Sequence, residues 1–170
     1  RKLWQDHITW TRLAIVSLVA DAPDTEATVG RLLQNQVDIG DAIKPFYGEA
    51  AGAQLTALLS DHITIAADLI GAAKAGDSAQ VTAVGDTWYV NGDEIADFLS
   101  TANPTNWPQA EMRQMMHDHL DLTLAEAVHQ IEGDYAASVA DYDEVHVQIL
   151  HMADMLAAGI IAQFPDQFGA

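Results

Sequence analysis

Apolar residues recur every three or four positions along nearly the whole chain, and this helical spacing constrains the fold more than any other feature of the sequence. The longest strand-like stretch, residues 87–90, is too short and too isolated to build a sheet. The pattern therefore predicts an all-α protein. Near the start of the chain, the apolar positions are Trp4, Ile8, Ile15, Leu18 and Val19.

Five short segments rich in Pro, Gly and Asp interrupt this pattern. Proline cannot continue a helix and glycine eases the exit of the chain, so each segment predicts a turn, and Pro45 predicts the end of the second helix. Short connections make consecutive helices antiparallel neighbours. We therefore expect residues 1–170 to form a single domain, an up-and-down antiparallel helical bundle. The six predicted helices are 2–20, 24–44, 49–75, 78–101, 108–132 and 136–163.

An internal repeat links three of these helices. The sequence Asp6-His7-Ile8-Thr9 on the first predicted helix recurs on the third as Asp61-His62-Ile63-Thr64, and a looser copy, Asp118-His119-Leu120, lies on the fifth at nearly the same interval. Aspartates on the following helices supply a second, weaker mark of the repeat. We interpret the pattern as one helical hairpin used three times, with coincidence as the alternative. The aspartates are Asp38, Asp93 and Asp143.

Ionisable side chains gather at one height of the predicted bundle. At about 1.5 Å of rise per residue, the repeated histidines and His146 all lie near mid-bundle. His7, His62 and His146 fall on apolar stripes and should face inward, whereas His119 lies towards the edge of its stripe. Asp143 shares a helix face with His146. The candidate site residues are His7, His62, His119, His146, Asp38, Asp143 and Glu126.

Burying imidazoles and carboxylates is costly unless they pair or bind a ligand, and three interpretations satisfy that requirement. The layer could be a hydrogen-bonded network that fixes helix register, with Arg12 neutralising a carboxylate. It could hold a divalent transition metal, because bundles build such sites from His and carboxylates on facing helices. It could also line a pocket for a small organic ligand.

A second grouping offers a copper site as a further alternative. Thioethers and imidazoles together suit Cu(I), although Met at helical spacing is also common core filler. The residues of this grouping are Met112, Met115, Met116, His117, His119, His151, Met152 and Met155.

Charge and composition narrow the range of partners. The chain carries 25 acidic against 7 basic residues, a formal charge of -18, which argues against nucleic acid and anionic membranes as partners. The absence of Cys excludes thiolate metal sites and disulfides. The longest apolar runs, residues 13–20 and 157–162, are shorter than the roughly 20 residues of a membrane span, so none is predicted.

Several local patterns resemble those of a family of small bacterial all-helical proteins, and the resemblance covers essentially the whole chain. It implies an exported protein with a signal peptide upstream of the Leu-Trp motif, and it brings no established activity. It also implies that His7, Asp38, His62, His119 and Glu126 belong to the family pattern. The patterns are Leu3-Trp4-x-x-His7-x-x-Trp10-Thr11-Arg12, Leu32-Leu33-x-Asn35-Gln36-x-Asp38-Ile39-Gly40, Ala42-Ile43-x-Pro45-x-Tyr47-Gly48 and Gly159-Ile160-Ile161-x-Gln163-Phe164-Pro165.

The sequence thus predicts a binding protein for a metal ion or small ligand, and the resemblance implies that it is secreted, periplasmic or at the cell surface. One alternative is a metal-dependent hydrolase, in which three His hold the metal and Glu126 or Asp143 acts as general base. The other is a structural or interaction module without a ligand.

Overall fold

The computed structural model describes residues 1–169, which form six α-helices and no strand. The all-α prediction is confirmed, and every predicted helix boundary lies within three residues of the observed one. The helices are α1 (Lys2–Ala20), α2 (Thr25–Tyr47), α3 (Glu49–Ala75), α4 (Ser78–Ala102), α5 (Gln109–Glu132) and α6 (Tyr135–Gln163), followed by a short 3-10 helix, Pro165–Gln167.

The largest boundary error is at Pro45, where the prediction of a helix end was wrong. Helix α2 continues through Pro45 to Tyr47. Proline removes one backbone hydrogen bond, but Ile43 and Tyr47 on either side pack against the core and hold this last turn in place. The helix ends at Gly48, whose φ of 85° is accessible to glycine and whose N–H donates to the carbonyl of Lys44.

The helices are arranged so that the odd-numbered ones meet at the centre. Helices α1, α3 and α5 each contact the other two. Helix α2 packs against α1 and α3, α4 against α3 and α5, and α6 against α5 and α1. The chain thus travels once around the bundle, and side chains on the inner faces of α1, α3 and α5 converge.

Helices α2 and α3 approach each other closely at two glycines. A Cβ atom on Gly40 would lie 2.6 Å from the carbonyl oxygen of Gly52, and one on Gly52 would lie 2.7 Å from that of Gly40. Neither position has room for a side chain. The lack of a side chain at both positions therefore allows the two helices to pack closely here.

Two helices of the described residues, α3 and α6, are long and apolar enough to cross a membrane by length and composition. Both also bury residues in the core of the bundle, among them Leu55, Leu59, Ile149 and Met152. A core helix passes the same test, so the absence of a membrane span stays a prediction.

Candidate functional site

Three buried histidines meet where α1, α3 and α5 converge. His7, His62 and His119, one from each helix, are each 3% exposed, and we call them the histidine cluster. The ring centre of His119 lies 5.8 Å from that of His7 and 6.4 Å from that of His62. The convergence of the odd-numbered helices therefore brings the three repeated histidines into one site.

Burial keeps the histidine cluster neutral. Desolvation is the main reason why the pKa of His62 falls to about 4 and that of His119 to about 3. Desolvation also holds the pKa of His7 well below its usual value, and repulsion from His119 and His62 adds to the decrease. At neutral pH, each ring therefore carries one N–H and one free lone pair.

A buried asparagine determines which nitrogen of His62 carries the hydrogen. The ring Nδ1 lies 2.8 Å from Oδ1 of Asn91, whose Nδ2 donates to the carbonyl of Leu58 at 3.1 Å. That second bond fixes the orientation of the amide, so its oxygen faces the imidazole. In the neutral ring, Nδ1 is therefore the donor and Nε2 has the lone pair. The ring also stacks on Trp88, with ring centres 5.1 Å apart.

Glutamines lie beside the other two histidines. Each follows its histidine along the chain at the same distance as Asn91 follows His62: Gln36 follows His7, and Gln148 follows His119. We call Gln36, Asn91 and Gln148 the amide set. Interaction with Gln36 opposes the decrease in the pKa of His7, and Gln148 does the same for His119, as expected of an amide oxygen that faces a ring nitrogen.

These two pairs stop short of hydrogen-bond geometry. Nδ1 of His7 and of His119 is buried without a partner, and so is Oε1 of Gln36 and of Gln148. The four unpaired atoms are thus two ring nitrogens and two amide oxygens in neighbouring side chains. Pairing each ring nitrogen with its amide oxygen would reproduce the contact between His62 and Asn91.

Amide side chains also bind the backbone one turn before each histidine. Asn91 donates to Leu58, and the corresponding bond from Gln148 reaches the carbonyl of Met115 at 3.0 Å. On α1, the carbonyl of Leu3 receives its bond from Asn35, at 3.0 Å, instead of from Gln36. Each accepting carbonyl belongs to the residue four positions before a histidine of the cluster.

Glu126 belongs to a separate polar group. Its carboxylate lies 3.0 Å from Arg12 Nη1, and its backbone carbonyl accepts a bond from Ser138 Oγ at 3.1 Å. Ser138 also bonds Arg12 and Gln130. We call these four residues the Arg12–Glu126 cluster. Burial raises the pKa of Glu126 to about 7, although Arg12 opposes the shift. The predicted neutralisation of a carboxylate by Arg12 is confirmed.

The remaining predicted site residues lie outside the histidine cluster. Asp38 lies at the surface, where it accepts from Gln34 and lies 3.7 Å from Arg31. Asp143 is exposed. His146 is half-buried on α6, where its ring faces Tyr142 at 6.2 Å and its Nε2 has no partner.

The methionine-rich grouping does not form a single site. Met112, Met116 and Met152 are buried in the hydrophobic core. His117 lies at the surface with its Nε2 2.9 Å from Asp93, and His151 is exposed. Among these histidines, His119 alone is buried, and it faces the other two histidines of the cluster.

In residues 1–169, no group of three or more His, Asp or Glu side chains is already placed to hold a metal ion. Comparisons with models of known protein families, with curated proteins and with solved structures find no match to this chain. Arguments about function therefore depend on the geometry of the site.

Proposed function

We propose that this protein binds a divalent first-row transition metal ion through ring nitrogens of the histidine cluster. The observation that carries the proposal is the meeting of three buried, neutral imidazoles, contributed by three different helices, at the centre of the bundle. Burying three polar rings is costly unless their polar atoms find partners. A metal ion would use the lone pair that each neutral ring retains.

The spacing of the rings is close to that of a three-histidine metal site. With metal–nitrogen bonds of about 2.0–2.1 Å and tetrahedral angles, ring centres lie roughly 5 Å apart. The observed separations from His119 are 5.8 and 6.4 Å. Binding therefore requires the rings to close by about 1 Å relative to these separations.

The donor set favours a particular class of metal. Imidazole nitrogens suit Zn, Cu, Ni and Fe, whereas Ca²⁺ and Mg²⁺ require oxygen ligands. The nearest buried carboxylate, Glu126, is seven residues from His119 along α5, about 10 Å by helical rise, and it is bound to Arg12. Three imidazoles leave one position of a tetrahedral ion for water or an exogenous ligand.

The repeat supports an approximately threefold site. We infer that three helical hairpins, α1–α2, α3–α4 and α5–α6, each contribute one histidine and one amide. The histidine-to-amide distance along the chain is the same in all three, and each odd-numbered helix contacts the other two. Such an arrangement offers a single ion three equivalent imidazole ligands.

Binding fits this geometry better than hydrolysis. Glu126, a candidate general base, is two helical turns from His119 and is already paired, and Asp143 is exposed. Export to the periplasm or the exterior, which the family resemblance implies, belongs to the same proposal. It would expose the protein to external metal ions.

The test compares two histidine variants. His62→Gln removes a ligand from the cluster, and His151→Gln, the matched control, changes an exposed histidine. Tag-free proteins are melted with and without Zn²⁺, Cu²⁺, Ni²⁺ and Fe²⁺, and their metal content is measured. A ligand at 100 times its Kd adds about 2.7 kcal/mol of stability, so we expect a clear rise in Tm for the wild type and for His151→Gln. An equal response from all three proteins would refute the proposal.

A further inference from the structure

We infer that the amide set, Gln36, Asn91 and Gln148, consists of positioning residues: each holds its histidine in the tautomer with hydrogen on Nδ1. The atom left to accept a ligand is then Nε2 in all three rings. The role of that ligand rests on the proposed function, but the tautomer itself is a property of the metal-free protein.

The pair on α3 and α4 shows the complete arrangement. Asn91 Nδ2 is occupied by the carbonyl of Leu58, and this leaves Oδ1 to face the imidazole of His62 at 2.8 Å. An amide oxygen can only accept, so the ring nitrogen must donate. One face of the His62 ring stacks on Trp88, which restricts rotation of the ring.

The pair on α5 and α6 has the same donor bond. Gln148 Nε2 donates to the carbonyl of Met115, which leaves Oε1 as the atom available to a ring. That oxygen and Nδ1 of His119 are both buried and unpaired, and the amide opposes the decrease in the ring's pKa. Pairing the two atoms satisfies both with a single contact.

The pair on α1 and α2 also leaves an amide oxygen available to the ring, but through different hydrogen bonds. Asn35 binds the carbonyl of Leu3, so Gln36 is free to use its Nε2 on the carbonyl of Leu32, at 2.7 Å. Its Oε1 stays unpaired, beside the unpaired Nδ1 of His7. In this hairpin, Asn35 therefore binds the backbone carbonyl and Gln36 provides the free oxygen, whereas a single amide does both in the other two hairpins.

A neutral amide suits this task in a buried site. It accepts the Nδ1 hydrogen without adding a negative charge to the core, and it leaves the lone pair of Nε2 unprotonated. Metal-bound histidines commonly donate their second N–H in this way, and losing such a partner typically lowers metal affinity by about 10–100-fold.

The primary experiment is imidazole ¹⁵N NMR on the metal-free protein at pH 7. Substituting each histidine in turn assigns the three buried rings. We expect all three to show the Nδ1–H tautomer. A protonated Nε2 on any of the three rings would overturn the inference, whether or not the protein binds a metal.

Two variants then test Asn91 itself. Asn91→Leu removes the acceptor, so His62 should lose its pure Nδ1–H signature while His7 and His119 keep theirs. Asn91→Asp retains an acceptor oxygen but not the donor to Leu58, and it should restore the tautomer. An unchanged His62 spectrum in folded Asn91→Leu would contradict the positioning role.

Metal titration separates this inference from the proposed function. If the proposed function holds, Asn91→Leu should bind Zn²⁺ about 10–100-fold more weakly than the wild type, and Asn91→Asp should recover much of the affinity. An Asn91→Leu protein that binds Zn²⁺ as tightly as the wild type would count against positioning. Absence of metal binding by the wild type would refute the function alone, because the tautomers are measured without metal.

Discussion

The histidine cluster and the Arg12–Glu126 cluster lie between the same helices, α1 and α5, about two helical turns apart, yet they are built in opposite ways. In the Arg12–Glu126 cluster, a carboxylate is matched by a guanidinium, and Ser138 ties α6 to both. In the histidine cluster, all three rings are neutral, and two of them have unpaired buried Nδ1 atoms.

The comparison distinguishes two kinds of buried polar group. In one, the groups satisfy one another's charges and hydrogen bonds, and in the other they keep unpaired ring nitrogens and lone pairs. The Arg12–Glu126 cluster is closed, because each charge already has its partner within the protein. Such a group costs desolvation, and removing one of its partners is strongly destabilising. The histidine cluster retains lone pairs that no protein donor is shown to use. The first cluster therefore serves the structure, and the second is the one for which we propose ligand binding.

Breaking the closed cluster should produce the largest loss of stability. Arg12→Met leaves Glu126 buried without its cation, and we expect a decrease of about 3–5 kcal/mol in the free energy of unfolding. Denaturant unfolding at pH 9 measures it, because the pKa of Glu126 is about 7 beside Arg12 and the carboxylate is fully ionised only well above that pH. Adding Glu126→Gln to Arg12→Met removes the unpaired charge and should recover most of the loss. A loss below about 1 kcal/mol for Arg12→Met would show that the pair contributes little.

Lowering the pH should change the contributions of the two clusters to stability in opposite directions. The pKa values of His62 and His119 are lowered on folding, so the unfolded chain binds more protons, and stability falls as the pH drops below about 6.5. Each ring of the histidine cluster should cost about 2 kcal/mol at pH 5. The pKa of Glu126 is raised on folding, so its contribution is largest at low pH and is lost as the pH rises through about 7. Unfolding measured between pH 7 and 5 should therefore show a net loss of stability.

Two variants separate the contributions of His62 and Glu126 to this pH dependence. His62→Gln should reduce the loss between pH 7 and 5 by about 2 kcal/mol, since one ring no longer titrates. Glu126→Gln should make the loss steeper, because the opposing contribution disappears. The same pH dependence in His62→Gln as in the wild type would indicate that His62 is not buried and neutral. All melts use chelated, metal-free protein, because bound metal would mask the titration.

The fold follows from the sequence because the signals that end its helices are local. Gly76 and Gly133 take left-handed conformations at helix ends, and Asp77 and Asp134 cap the helices that follow. Each of these needs only its sequence neighbours. Pro45 misled the prediction because its helix turn is held by tertiary packing, which a local signal cannot reveal.

The site was only partly predictable, for two physical reasons. Helix α5 buries polar residues such as Thr123 and Gln130. The spacing of its apolar residues alone therefore does not locate its inner face, and it places His119 at the edge of the apolar stripe. His146 occupies an apolar stripe, but α6 packs on the outside of the bundle and leaves the ring half-buried. The repeated aspartates Asp38 and Asp143 lie outside the histidine cluster, whereas the amides Gln36, Asn91 and Gln148 lie beside its rings. Their constant distance from the three repeated histidines was a signal available in the sequence.

The smallest expected effect tests whether the aspartates suggested by the repeat matter at all. Asp38 bonds other surface side chains, and Asp143 is exposed, so Asp38→Asn and Asp143→Asn should each change the free energy of unfolding by no more than about 0.5 kcal/mol. Neither variant touches the histidine cluster, so the Zn²⁺ affinity of each should equal that of the wild type. A decrease of tenfold or more for Asp38→Asn, with the fold intact, would show that this carboxylate reaches the ion. The site would then have to rearrange on binding, and three imidazoles would no longer account for it.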